Sequence, residues 1–338
     1  GQTLIQEIPE VDFADIKGNM MGKRAMVIAA AGGHNVCLVG SPGSGKSMLA
    51  KALPSILPPL SAEECLEVTE IYSVANNART WDFNHTLKVA RPFRSLHHTT
   101  SKISIIGGGG AGGGSPRQGG AAVGEISLAH KGVLFLDEIA EFPRDTLEAL
   151  RQPLEDKKIS ISRLHKKCTY PCDFILVAAY NPCPCGFALD ENRNCTCTVS
   201  ERSRYEKRLS GPLKDRIDLW VTVTSSPDLA VASSAIPSHT ETSGSIREDV
   251  QRARLIQAER FSGTLHTNAS MTMQELRAHC VLNQESQLLL KQAFTRYHLS
   301  YRTYHRLLKL SRTIADLAAS PRIQTPHLME ALQFRGEK

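Results

Sequence analysis

Gly40-Ser-Pro-Gly-Ser-Gly-Lys-Ser47 is the most informative stretch for the fold, because it lies between an apolar run and a segment of helical composition. The run before it, Asn35–Val39, predicts a strand, and Met48–Leu57 after it predicts a helix. The glycines let the backbone curl so that successive N–H groups face an anion, and the helix directs its positive end at the same point. The pattern therefore predicts a loop that binds the phosphates of a nucleotide.

The residues of this loop have expected roles. Lys46 is predicted to reach the β- and γ-phosphates, and the Ser47 hydroxyl is predicted to ligate Mg²⁺. ATP and Mg²⁺ are therefore the expected cofactors. The predicted nucleotide-binding residues are Gly40, Ser41, Pro42, Gly43, Ser44, Gly45, Lys46, Ser47 and Met48.

Polar residues follow two further apolar runs. Gly132–Leu136 leads into Asp137 and Glu138, and Phe174–Ala179 is followed closely by Asn181. In nucleotide hydrolases such an Asp holds the Mg²⁺ shell, and the adjacent Glu is the expected base that orients and partly deprotonates the attacking water. The Asn181 amide is predicted to reach the γ-phosphate and the same water, although turns favour Asn-Pro for other reasons.

Apolar strands that alternate with helical stretches such as Asp145–Leu154 predict an α/β fold with a parallel sheet covered on both faces. Leu219–Val223 is a further candidate strand. A stretch rich in Ser, Thr and Pro then marks a linker, after which only helices are expected. The predicted units are a nucleotide-binding α/β domain at 1–228, a linker at 229–246 and an all-α lid domain at 247–338. The predicted lid helices are Arg247–Phe261, Thr272–Cys280, Gln284–Tyr297 and Arg302–Ala318.

The composition of the chain, 41% hydrophobic and 22% charged over 338 residues, is typical of a soluble globular protein. No apolar run approaches the roughly 20 residues that span a bilayer, so we expect no membrane association and a cytoplasmic location. The net charge of +6 comes from residues 247–338, which hold 14 basic and 8 acidic side chains. A polyanion partner and a solvated helix surface both explain this excess.

A glycine-rich insert is predicted at about 100–122, since residues 107–120 include nine glycines. Two readings stay open, a loop that grips a substrate and plain disorder.

Nine cysteines in a cytoplasmic protein argue against a disulfide framework. Four of them form two close pairs in the loop 183–197, and two such pairs can fold onto one tetrahedral Zn²⁺. The alternative is four reduced thiols in a flexible loop. The candidate zinc ligands are Cys183, Cys185, Cys195 and Cys197.

Several motifs together resemble the magnesium-chelatase-like AAA+ family over nearly the whole chain. The resemblance implies an AAA+ P-loop NTPase fold, with a parallel five-stranded sheet sandwiched by helices and a C-terminal all-α lid. It also implies a ring of identical subunits, expected to be a hexamer, that hydrolyses ATP to ADP and phosphate between subunits. The segments that carry it are Gly40–Ser47, Arg91–Thr99, Leu128–Glu138, Asn181–Gly186, Leu209–Asp218 and Ser311–Leu317.

The resemblance implies two arginine roles. Arg216 is the candidate finger donated to a neighbouring subunit, because a guanidinium stays charged and presents a fork of donors to the transferring phosphoryl group. The alternative is a plain ion pair with one of the neighbouring aspartates. Arg302 resembles the second sensor of the lid, with Arg306 and Arg312 as alternatives on the same predicted helix.

Two further segments have counterparts in the family. Ile16 and Gly18 resemble the segment that packs on adenine. Residues 158–170 resemble a hairpin that points into the pore of DNA motors, although an exposed turn is often basic for no special reason. The candidate DNA contacts at its tip are Arg163, His165, Lys166 and Lys167.

The function implied by the resemblance is that of a ring motor acting on DNA as a helicase or branch-migration factor in natural transformation and recombination. The alternative is a chelatase-type ATPase that remodels a protein partner, such as a metal-inserting enzyme. Members of the family usually carry a Lon-protease-like domain before the motor, and that domain is absent from this chain. We therefore expect a piece of a longer protein, in line with the missing initiating Met.

Overall fold

The structure is a computed structural model that describes residues 11–75, 87–108, 123–163, 166–190, 192–224, 242–262 and 266–335. For residues 162, 163, 166 and 167 it describes the backbone alone. His165 and most of the predicted glycine-rich insert lie outside the described residues, as does most of the predicted linker.

A five-stranded parallel sheet forms the centre of the molecule, in the order β2-β3-β6-β1-β7. The structure therefore confirms the prediction of a parallel five-stranded sheet. The sheet contains β1 (Val36–Val39), β2 (Phe93–Leu96), β3 (Val133–Leu136), β6 (Ile175–Tyr180) and β7 (Leu219–Thr222), while β4 (Lys158–Arg163) and β5 (Lys166–Pro171) form a separate antiparallel hairpin.

Helices cover the sheet and continue beyond it. Those that precede β7 are α1 (Met20–Gly32), α2 (Lys46–Ile56), α3 (Ala62–Ala75), α4 (Lys102–Ile106), α5 (Glu125–Leu128), α6 (Arg144–Ala149), α7 (Arg151–Asp156), α8 (Val199–Glu206) and α9 (Gly211–Lys214). The C-terminal helices are α10 (Ser243–Arg260), α11 (Met273–His279), α12 (Gln284–Arg296), α13 (Tyr301–Leu317) and α14 (Thr325–Gln333).

The sheet is buried on both faces, which explains why its strands appear in the sequence as continuous apolar runs. Every residue of β3 and β6 is buried. Successive side chains of a strand point to opposite faces, so Val36 and Leu38 enter one apolar cluster and Cys37 enters the other. The first cluster also contains Leu307 and Leu310 of α13, so the C-terminal helices share a core with one face of the sheet.

Some boundaries differ from those that the pattern predicts. Helix α10 begins at Ser243, inside the predicted linker, because the Thr242 hydroxyl caps its first turn by accepting from Ser245 N at 3.3 Å. The stretch Asp145–Leu154 forms two short helices rather than one. Strand β2 carries polar residues at two of its four positions, so apolar patterning did not identify it.

No helix within the described ranges combines the length and the apolar character needed to cross a membrane.

Candidate functional site

The loop between β1 and α2 depends on its glycines. A Cβ on Gly40 would lie 2.2 Å from the carbonyl oxygen of Val223, just beyond the end of β7. Gly43 and Gly45 have φ angles of 78° and 94°, a region that residues with a side chain rarely adopt. The same glycines that predict a phosphate loop therefore also let it pack against the end of β7.

The donors of this loop suit a phosphate group. Lys46 Nζ donates to Gly40 O (2.6 Å) and to Ser41 O (2.8 Å), so the ammonium lies across the loop. The Ser44 hydroxyl oxygen is buried and makes no hydrogen bond with the described residues. Because α2 also begins at Lys46, its unpaired N–H groups face the same place. The residues present therefore fit a nucleotide phosphate chain.

The two predicted carboxylates follow β3. Glu138 has φ 49° and ψ 51°, a left-handed conformation that costs a residue with a side chain about 1–2 kcal/mol. Its backbone N–H donates to Asp137 Oδ1 at 3.0 Å. Burial lowers the pKa of Lys46, while the charges of Asp137 and Glu138 act to raise it. Both carboxylates therefore act electrostatically on the ammonium of the loop.

Asn181 follows β6, which lies between β3 and β1 in the sheet. The Gly40 N–H donates to Tyr180 O at 3.1 Å, which fixes the loop against the end of β6. The structure thus brings Lys46, Asp137 and Asn181 to the carboxyl edge of the sheet.

The segment before α1 also contacts the loop. Ile16 is buried in the core, and Gly18 turns the chain with φ 67°. Asn19, which the sequence analysis did not single out, has φ 50° and donates through Nδ2 to Ser44 O at 3.2 Å. The only sequence signal for it was the Gly-Asn pair, since both residues tolerate a left-handed backbone.

Arg216 lies at the other edge of the sheet, because it precedes β7 whereas the loop follows β1 and the two strands are parallel. Its Nη1 donates to Pro212 O at 2.7 Å, and its Nη2 pairs with the carboxylate of Glu155. The acidic partner of Arg216 is therefore Glu155 and not a neighbouring aspartate.

The three candidate lid arginines differ in their contacts. Arg302 is 55% exposed and pairs with Asp215 Oδ2 at 3.1 Å, one residue from Arg216. Arg306 donates to Ile217 O at 2.6 Å, and Arg312 is buried between Asp316 and the carbonyls of Ser320 and Pro321. Arg302 therefore has the most accessible guanidinium of the three, and it lies on the Arg216 edge.

The four loop cysteines form a compact cluster in which all the Sγ atoms lie within 4.8 Å of one another. Cys183 Sγ is 3.3 Å from Cys185 Sγ and 3.6 Å from Cys195 Sγ. The backbone N–H of Phe187 helps to lower the pKa of Cys185 to about 5. Four thiolates around one tetrahedral zinc require sulfur separations of about 3.8 Å, so this donor set fits a metal ion.

The cysteine loop also touches the phosphate loop. Gly186 has φ 83°, and a Cβ on it would lie 2.6 Å from Pro42 Cδ. The sequence analysis did not anticipate this contact, because more than 140 positions separate the two residues along the chain.

The predicted hairpin is present as β4 and β5, with Arg163 paired to Lys166 across its end. Ile159 and Ile161 are buried at its base. The four candidate DNA contacts lie where the structure describes the backbone alone or not at all.

Comparison with known proteins gives consistent matches. The family described as "Magnesium chelatase, subunit ChlI" matches residues 12–230, and "Magnesium chelatase, subunit ChlI C-terminal" matches residues 240–335.

Three similar proteins are "Uncharacterized protein YifB" of Salmonella typhimurium and of Escherichia coli, and "Competence protein ComM" of Haemophilus influenzae. They are 40%, 42% and 43% identical to this chain over 99%, 96% and 96% of its length. The aligned region spans only 62%, 60% and 60% of those relatives. With the phosphate loop, the paired carboxylates and the sheet order all present, the chain belongs to the magnesium-chelatase-like family of AAA+ ATPases.

Proposed function

We propose that this chain hydrolyses ATP at contacts between neighbouring copies of itself in a ring, expected to be a hexamer, and that the ring moves on DNA. The observation that carries the proposal is that Arg216 and the Gly40–Ser47 loop lie at opposite edges of one sheet. Each subunit then offers a nucleotide-binding edge and a finger edge, and a complete site needs two subunits.

Distance supports this arrangement. The four residues of β7 alone span about 13 Å, more than the reach of an arginine side chain, so Arg216 cannot reach the loop of its own subunit. In a ring the finger edge of one subunit faces the loop of the next. The pair with Glu155 has to open for this contact. Glu155 is 60% exposed, whereas the Arg216 side chain is 13% exposed, so the carboxylate is the partner that can move into solvent when the pair opens.

The residues of the carboxyl edge then have defined roles. Lys46 leaves the loop carbonyls and binds the β- and γ-phosphates. Ser47 and Asp137 hold Mg²⁺, which neutralises charge on the phosphates when bound. Glu138 accepts a proton from the attacking water, and Asn181 orients that water. Arg216 of the neighbouring subunit stabilises the charge that develops on the transferred phosphoryl group.

We assign the second-sensor role to Arg302. Its partner Asp215 is adjacent to Arg216 in the chain, so both guanidinium groups serve the same neighbouring nucleotide. The exposure of Arg302 supports this choice, whereas Arg312 is fully engaged within its own subunit.

We also propose that Cys183, Cys185, Cys195 and Cys197 hold one structural Zn²⁺. All four thiolates would be ligands, so the ion would have no open position for chemistry and would fix the loop that follows Asn181. Elemental analysis of purified protein should give about one zinc per chain. Cys185→Ser should lower that content strongly, whereas Cys280→Ser, at a distant buried thiol, should leave it unchanged.

We propose DNA as the polymer along which the ring moves, because one of the similar proteins is named a competence protein and because the β4–β5 hairpin has a basic tip. Branch migration of DNA strands in natural transformation and recombination is the activity that this assignment predicts. The competing candidate is a chelatase-type ATPase that remodels a protein partner, and the ChlI family description favours it.

Steady-state ATP hydrolysis with and without single-stranded, duplex and forked DNA at low salt separates the two candidates. The DNA motor predicts clear stimulation by DNA. The triple change Arg163→Ala, Lys166→Ala and Lys167→Ala should remove most of the stimulation and leave the DNA-free rate unchanged. Hydrolysis that is indifferent to every DNA and rises with a protein partner would instead support the remodelling ATPase.

A further inference from the structure

Asn35 lies at the amino end of β1, one position before the strand that leads into the phosphate loop. Its backbone carbonyl accepts hydrogen bonds from Asp218 N at 2.9 Å and from Leu219 N at 3.0 Å, so the main chain of Asn35 is joined to the start of β7. The other neighbour of β1 in the sheet is β6, and the side chain of Asn35 bonds to that strand. Asn35 is therefore connected to both strands that flank β1.

The side-chain amide of Asn35 joins β6 to the finger turn, which we define as residues 215–218. Its Oδ1 accepts from Leu176 N at 2.9 Å, and its Nδ2 donates to Arg216 O at 2.9 Å. A backbone N–H can only donate and a backbone carbonyl can only accept, so these two partners fix the orientation of the amide. Because Leu176 is fully buried, leaving its N–H without a partner would be costly. Both ends of the amide are thus engaged.

The backbone and the side chain of Arg216 are held in different ways. Arg216 N donates to Leu213 O at 3.0 Å and Arg216 O accepts from Asn35, so both backbone polar groups are paired. The guanidinium instead bonds to Pro212 O and pairs with Glu155, whose side chain is 60% exposed. Opening of the pair with Glu155 therefore does not require the backbone of Arg216 to move.

We propose that Asn35 is a positioning residue for the Arg216 finger. Its Nδ2 holds the Arg216 carbonyl beside β1 and β6, so the guanidinium extends toward the neighbouring subunit from a fixed base. A side chain at this position must donate and accept at the same time, which an amide does and a carboxylate or a methyl group does not. Misplacement of a catalytic group by about 1 Å can slow a reaction by about a hundredfold. The inference rests on the proposed finger role of Arg216.

The first test measures turnover and nucleotide binding in Asn35→Asp. The aspartate keeps an acceptor for Leu176 N and loses the donor to Arg216 O, so kcat should fall by about tenfold. ATP affinity should stay within about twofold of wild type, because the variant subunit keeps its own phosphate loop. Asn283→Asp is the matched control, since Asn283 is exposed and caps α12 through an oxygen that aspartate also has. A wild-type rate in Asn35→Asp would overturn the proposal.

Mixtures of subunits then show which part of the site depends on Asn35. If the fault of Asn35→Asp lies in the finger, Lys46→Ala subunits should rescue it, because they supply an intact finger to the intact loop of the variant. Arg216→Ala subunits should give no rescue, because neither partner then has a working finger. A structural fault in β1 and its loop predicts the reverse, with rescue by Arg216→Ala and none by Lys46→Ala.

Steady-state phosphate release across the mixing ratio is the measurement, with Arg216→Ala and Lys46→Ala as the reference pair. Recovery of Asn35→Asp with Arg216→Ala, or with neither partner, would contradict the assignment of Asn35. A reference pair that does not recover would count against the finger role of Arg216 itself, and the Asn35 proposal would fail with it. Asn35→Ala, which adds no charge, replaces Asn35→Asp in the same mixtures if the aspartate variant does not fold.

Discussion

The two edges of the central sheet carry charged residues of different kinds. At the carboxyl edge, Lys46 donates to a carbonyl of its own loop, and Asp137 accepts from the N–H of Glu138. Each of these side chains is therefore held by a partner close to it in the sequence. At the amino edge, Arg216 and Arg302 pair with the exposed carboxylates of Glu155 and Asp215. The first edge is held by contacts within its own loops, whereas the second holds its cations in ion pairs with carboxylates that are largely exposed.

In the proposed ring, this contrast explains how each chain carries two complementary parts of an ATP-hydrolysing site that is completed only between subunits. A phosphate cradle must be preorganised, because the loop has to present its donors without rearrangement when the phosphates arrive. A finger that acts on a neighbour must be available but not exposed as a bare charge, and an ion pair with an exposed carboxylate meets both needs.

The largest effect is expected for Arg216→Ala. Loss of a finger that stabilises the transferring phosphoryl group lowers kcat by about 10³-fold or more, while ATP affinity stays near wild type. Mixing this variant with Lys46→Ala subunits should restore activity, since the intact loop of one then meets the intact finger of the other. The measurement is steady-state phosphate release as a function of the mixing ratio.

Arg252→Ala provides the matched control, because Arg252 is exposed on α10 and pairs with Asp249 in the same helix. It should leave turnover unchanged. Failure of the mixed subunits to recover would contradict the division of the site between two chains.

The next largest effect is expected for Glu138→Gln. The amide keeps the shape of the side chain but cannot accept the proton of the attacking water, so kcat should fall by about 10²-fold or more with ATP binding retained. Equilibrium binding of a fluorescent ATP analogue and single-turnover hydrolysis measure the two properties separately. Glu63→Gln, at an exposed position of α3, is the control. Undiminished hydrolysis in Glu138→Gln would place the base elsewhere.

A smaller effect is expected for Arg302→Ala. Loss of one charge-assisted hydrogen bond to a neighbouring nucleotide corresponds to about 1.5–3 kcal/mol, or a rate loss of about ten- to a hundredfold. The loss should appear only in assembled protein, so the rate should be followed across protein concentration and compared with wild type. A rate equal to wild type at every concentration would remove Arg302 from the site.

The smallest effect is expected for Gly186→Ala, which tests the contact between the cysteine loop and the phosphate loop. The added Cβ would lie 2.6 Å from Pro42 at a φ of 83°, so Pro42 must shift and ATP affinity should fall by several-fold. Gly211→Ala is the matched control, because a Cβ there meets nothing within 4 Å. Calorimetric titration with ATP measures both variants, and equal affinities would show that the two loops are not coupled.

Sequence patterning predicted the strands of the central sheet that have continuous apolar runs and missed the one strand without such a run. Strands β1, β3, β6 and β7 lie where the runs indicated, because a sheet buried on both faces needs apolar side chains at successive positions. Strand β2 was missed since Arg94 and Ser95 are only partly buried or exposed at the sheet edge. Asn19 was missed for a different reason, because its hydrogen bond to Ser44 O joins two segments that are distant in the sequence.

The residue types at the carboxyl edge could be predicted from local sequence alone. A glycine-rich loop after one strand and two acids after another leave few alternatives, since the backbone conformations and the ligand types are local properties of those residues. The contacts between these groups could not be predicted in this way. The folded chain sets Gly186 against Pro42 and pairs Arg216 with Glu155, because loop packing and ion pairing depend on contacts between distant parts of the chain.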